Sequence, residues 1–168
     1  MTTISNRKSY GKIEINILTN YQLIVIIIMV MQMENKQISS KEQVENFLLE
    51  LKHIINDKKF NINEDFDILL KKKNETDDDA YTTKNTLIQL NYDKNDIIRN
   101  LKELKISEYI ETLTDVKNVY SPKFWVFIKR INLKQVYIKV KIRSIQNRKI
   151  FCISFHFARF QVNNFPYG

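Results

Sequence analysis

Six residues near the C-terminus, Phe151 to His156, read FCISFH. On a strand, Phe151, Ile153 and Phe155 would take one face, leaving Cys152, Ser154 and His156 on the other. Upstream, Val136, Ile138, Val140 and Ile142 alternate with Tyr137, Lys139, Lys141 and Arg143, an aromatic heading a ladder of cations. If the two strands form a hairpin, His156 and that ladder share a surface. The parts then suit phosphodiester chemistry. Attack by the 2′-hydroxyl of RNA requires a base for its proton, an acid for the departing 5′-oxygen, and cations for the charge that develops at phosphorus. Histidine titrates near neutrality and serves as acid or base, while Lys139, Lys141 and Arg143 bind phosphate. Tyr137 and Trp125 are candidates for stacking on an unstacked base. A lone tryptophan in an apolar strand is more often core.

These strands need a scaffold, and its outline is readable. Ser39 or Ser40 caps a helix running to about Asp57, whose apolar stripe is Val44, Phe47, Leu48, Leu51, Ile54 and Ile55, with His53 off that stripe. An irregular apolar segment from Phe60 to Leu69 leads into KKKNETDDD, Lys71 to Asp79, which reads as a solvated connection. A second helix is predicted over Lys84 to Leu90 and a third over Asp93 to Leu104, with ISEYIETL, Ile106 to Leu113, continuing the helical region. Beyond Pro122 the apolar period changes to two, giving strands at Trp125 to Lys129, Val136 to Arg143 and Ile150 to Phe157. Their connections are Arg130 to Gln135 and Ser144 to Lys149. Helices first and strands afterwards define an α+β fold, with the N-terminal helices packed on a C-terminal antiparallel sheet.

Charge divides the chain. Every acidic residue lies at or before Asp115, and eleven basic residues follow Val116, so 16 basic face 19 acidic residues upstream. The net +8 therefore belongs wholly to the C-terminal third. A field of that sign attracts phosphate backbones, acidic lipid or an acidic protein. With two glycines the chain has no Gly-rich phosphate loop, and its single Cys152 forms no internal disulfide, as suits a reducing cytosol. Cys152, His53 and His156 are too few donors for a structural zinc site, so neither a metal nor another cofactor is expected.

A length of 168 residues suits one domain. The run LIVIIIMVM, Leu23 to Met31, is nine residues against the ~20 of a spanning helix. Residues 1–32 accordingly read as a non-native or disordered extension, with a native start at Met31 or Met33, and residues 33–168 as the domain.

The blocks WVFIKRINLKQVYIKVKIRS, FCISFHFARF and FPYG, preceded by EQVENFLLELKHII, KNTLIQLNYDKNDIIRNLKEL and SEYIETL, together resemble the MqsR family, toxins named for the motility quorum-sensing regulator. The resemblance covers about Ser40 to Gly168 and is specific as a set of blocks. It implies a RelE-like fold, metal-independent cleavage of mRNA, growth arrest, and neutralisation by a cognate antitoxin. Tyr137 matches a tyrosine of the family's proposed site, and His156 stands where its best-known member has a catalytic lysine. Two positions depart from the pattern: Glu111 replaces a lysine and is a candidate base, and Val126 replaces a glutamine. With Glu111 the candidate catalytic set is His156, Tyr137 and Glu111, and the RNA-binding set is Lys139, Lys141, Arg143 and Trp125. The alternative is a basic module that binds nucleic acid or a partner without cutting.

Overall fold

The computed structural model describes residues 21–25, 35–73, 75–76, 78–115, 118, 120–143 and 149–168. The expected extension, apart from the helical residues 21–25, and most of the Ser144 to Lys149 connection lie outside the described residues.

From residue 35 onward the described chain forms one compact unit. Helix α1 spans Lys41–Asn56. Ser40 caps it reciprocally: Gln43 N donates to Ser40 Oγ at 3.2 Å and Ser40 N donates to Gln43 Oε1 at 2.9 Å, satisfying two otherwise unpaired donors of the first turn. The stripe from Val44 to Ile55 is buried as its spacing requires, each aliphatic side chain contributing about 1.5–3 kcal/mol. A four-residue helix α2, Ile62–Asp65, and a short strand β2, Phe66–Ile68, follow. Helix α3 spans Thr83–Leu90 and helix α4 spans Lys94–Lys102, the latter capped by Asp93.

Six strands build one sheet in the order β1-β3-β4-β5-β6-β2, with β1 at Lys36–Gln37, β3 at Tyr109–Leu113, β4 at Phe124–Ile131, β5 at Lys134–Ile142 and β6 at Ile150–Phe157. The α+β reading holds, with helices mainly preceding the strands. All pairings are antiparallel except β2 with β6. The segment Ile106 to Leu113 departs from its helical expectation. A single 3₁₀ turn at Ile106–Glu108 leads directly into β3. Its Tyr, Ile and Thr residues favour a pleated surface, and Tyr109 and Thr112 are fully buried there, their hydroxyls bonded to each other at 2.9 Å.

One sheet face, carrying Phe127, Val136, Ile138, Val140, Cys152 and Phe155, packs with the stripes of α1 and α4 in the hydrophobic core. The placement of Cys152 corrects the simple alternation of FCISFH. Between the pairs Lys139↔Ser154 and Val140↔Cys152 the register shifts, so Ile153 is an extra residue in a β-bulge. Cys152 is thereby turned to the core and Phe151 to the opposite face.

The remaining edge of β6 is closed by α3. Thr83 Oγ1 accepts from Phe155 N at 3.2 Å and Thr86 Oγ1 accepts from Phe157 N at 3.0 Å. Buried threonines thus occupy donors that would otherwise invite another strand. The C-terminal FPYG returns to the body of the fold, Tyr167 donating its hydroxyl to Ser39 O at 2.6 Å and stacking on Tyr109.

Candidate functional site

Strands β5 and β6 place Tyr137 directly opposite His156. The rings stack with centroids 5.4 Å apart and an interplanar angle of 18°, a geometry that holds the imidazole in one orientation. Nδ1 of His156 lies 2.9 Å from the carbonyl oxygen of Phe157. Because a carbonyl only accepts, Nδ1 carries the hydrogen. In the neutral ring Nε2 then has the lone pair.

The surroundings favour that neutral ring. Burial pushes the His156 pKa below its ordinary 6.5, opposed by the Phe157 carbonyl and reinforced by the positive charges of Lys72 and Arg159. The Tyr137 phenol is pushed up to about 12, chiefly by burial and then by the charge of Glu111. It therefore remains a neutral hydroxyl at physiological pH and serves to orient, not to abstract a proton.

Lys139 is the diagonal cross-strand neighbour of His156, on the same face at a backbone separation of ~7–8 Å. It is half-buried, with Nζ 4.5 Å from the centre of the Phe124 ring. Burial, with help from Lys72, lowers its pKa. Arg143 is exposed at the far end of the ladder, its guanidinium 3.5 Å over the Phe151 ring and 3.1 Å from Asp67. The bulge created that cation–π pair by exchanging the faces of Cys152 and Phe151.

Three residues take other places than the exposed ladder suggests. Lys141 is buried, donating from Nζ to Asp115 at 3.2 Å and to Ser121 at 2.8 Å while covering Phe124. It ties Asp115 to Ser121. Trp125 lies on the helix-packed face, stacked on Phe47 with centroids 4.6 Å apart, and so turns away from His156. Glu111 shares the face of His156 but stands three strands away and two residues off its row, ~16 Å. It pairs with Lys36 at 3.6 Å. Val126, in the row between Glu111 and Lys139, is fully buried.

Lys72 and Glu75, in the stretch expected to be only a solvated connection, lie near the site. Because β2 runs parallel to β6, and Leu69 N continues that ladder to Cys152 O at 3.0 Å, the chain leaving β2 emerges at the His156 end. Lys72 and Glu75 consequently act on His156 electrostatically, as does Arg159, which pairs with Asp79. Periodicity holds no signal for this approach, which depends on a three-residue parallel strand.

Comparisons with protein-family models, curated proteins and solved structures return no match. Among the described residues no helix is long and apolar enough to cross a membrane, and no three His, Cys, Asp or Glu side chains gather as a cation site.

Proposed function

We propose that this protein is an endoribonuclease toxin of a type II toxin-antitoxin system, a RelE-like mRNA interferase neutralised by a cognate antitoxin. The observation that carries the reading is the oriented His156, with Nδ1 committed to Phe157 O and Nε2 left as acceptor, diagonal to Lys139. The resemblance of its sequence blocks to the MqsR family supports the same reading.

In this mechanism Nε2 of neutral His156 takes the proton of a 2′-hydroxyl as the oxygen attacks phosphorus. Lys139 faces the phosphate and, with its lowered pKa, delivers a proton to the departing 5′-oxygen. The products are a 2′,3′-cyclic phosphate and a 5′-hydroxyl. Tyr137 holds the imidazole plane, and Lys72 and Arg143 add positive potential for the flanking strand. Glu111 lies too far from His156 to share its phosphate and acts through the field at Tyr137.

A second reading, a basic module that binds without cutting, draws on Val126, an apolar side chain in the row between Glu111 and Lys139. Incubation of the purified protein with single-stranded RNA, followed by end-group analysis, separates the two. Cyclic phosphate ends support the nuclease, whereas RNA bound and intact supports the module.

A further inference from the structure

Immediately beyond His156 the chain passes Phe157, Ala158 and Arg159 into the wall of an open pocket of about 450 Å³. The pocket lies at the tip of the β4–β5 hairpin, with Tyr81 ahead of α3 and Gln89 near the end of α3 also in its wall. Arg130, Lys134 and Arg159 line it, and no lining residue is acidic. Among the described residues neither Arg130 nor Lys134 lies within 4.0 Å of a carboxylate, and Lys134 Nζ rests 4.7 Å from the centre of the Phe157 ring. Arg159 pairs with Asp79 and lies 5.0 Å from the centre of the Tyr81 ring.

Two large apolar side chains at this pocket do nothing for the core. Phe160 is 83% exposed and Leu133 is 88% exposed. Leu133 is moreover held at φ 66°, after Asn132 at φ 48°, in the paired left-handed conformation of a two-residue hairpin turn. Glycine is the usual second residue of such a turn, and leucine is strained in it. A strained, exposed leucine beside an exposed phenylalanine gives the fold no stability, and a ligand that rests on both accounts for them.

We propose that this pocket is a nucleotide subsite for single-stranded RNA, one base stacking on Phe160 beside Tyr81 while Arg130 and Lys134 hold the adjoining phosphates. Aromatic platforms set among cations bind single strands with little regard to sequence. The subsite rests on the reading of His156 as the cutting site, since it extends the strand's path from that residue along the chain to Arg159. It would fix where the strand lies before Nε2 meets its hydroxyl.

The test uses the full chain and a 2′-O-methyl RNA of about 12 nucleotides, which binds but lacks the attacking hydroxyl. Phe160→Ala is expected to weaken binding about tenfold. Arg130→Ala with Lys134→Ala is expected to lower the slope of log affinity against log salt by about 1.4, or 0.7 for each cation. Leu133→Gly is expected to raise the thermal midpoint while lowering affinity, a combination that a purely structural turn does not produce.

Unaltered affinity in Phe160→Ala and in the double variant, or no binding by the wild type, overturns the subsite. The first of these outcomes leaves the pocket as a surface for a protein partner. If the wild type binds in a Phe160-dependent way yet leaves unmodified RNA intact, the subsite stands and the nuclease reading fails.

Discussion

Tyr137 and His156 face each other across β5 and β6 as a stacked pair, 5.4 Å between ring centroids. Two strands that share no sequence motif thus fix one imidazole, and the Phe157 carbonyl fixes its tautomer. What the pair lacks, a cation for phosphate, lies one diagonal step away at Lys139.

The pH dependence of cleavage follows from these two groups. His156 must be neutral to accept a proton, and its pKa lies below 6.5, so kcat/KM should rise to a plateau with an acid midpoint below 6.5. Lys139 must be charged, and its lowered pKa places the alkaline midpoint below 10.5. Stability carries the same sign for the histidine. Its folded pKa is below its unfolded one, so the stability it contributes is present above pH 6.5 and is lost as pH falls through the folded value. An acid midpoint above 6.5 in the rate profile would exclude His156 as the base.

Lys139 and Lys141, two residues apart, should respond oppositely to substitution. Lys141→Met removes a buried cation from Asp115 and Ser121 and should cost about 2 kcal/mol of folding stability, with no change in the salt dependence of RNA binding. Lys139→Ala should leave stability nearly unchanged and reduce the salt slope by about 0.7. Denaturant titration and anisotropy at several salt concentrations measure both. Equal salt slopes in the two variants would contradict the placement of Lys141.

Thr86→Val should unfold about 1–2 kcal/mol more easily, because Phe157 N loses its acceptor at the edge of β6. Hydrogen exchange is the direct readout. The Phe157 amide should lose protection ahead of the other amides of its strand, and unchanged protection would show that the α3 threonine does not close that edge.

Trp125 stacks on Phe47 beneath the sheet, so Trp125→Ala should cost about 3 kcal/mol while leaving RNA affinity in the folded protein unchanged. Its emission, the only tryptophan signal in the chain, should report unfolding and remain constant on addition of RNA. Quenching by RNA would place it at the interface instead.

Much of this architecture was legible from spacing alone. The capped α1, the α4 stripe and the alternation of β5 are local patterns, and burial enforces each of them. What escaped was non-local or turned on one residue. The β6 bulge at Ile153 reverses the faces of Phe151 and Cys152, and alternation holds no sign of an inserted residue. Lys141 reads as one more rung of an exposed ladder, yet it is buried and bonded to Asp115 and Ser121. Trp125 occupies the same strand as residues facing His156, and only the β4 register assigns it to the helices. The approach of Lys72 follows from a parallel pairing that no periodicity encodes.

The most direct measurement compares wild type and His156→Ala with an RNA oligonucleotide at saturating protein, following both binding and the ends of the products. The expected result is cutting to 2′,3′-cyclic phosphate ends by the wild type, with the rate reduced ~10²–10⁴-fold in a folded His156→Ala variant that still binds. RNA left intact by the wild type while fully bound, or cut equally well by both proteins, would contradict His156 as the base of an RNA-cleaving site.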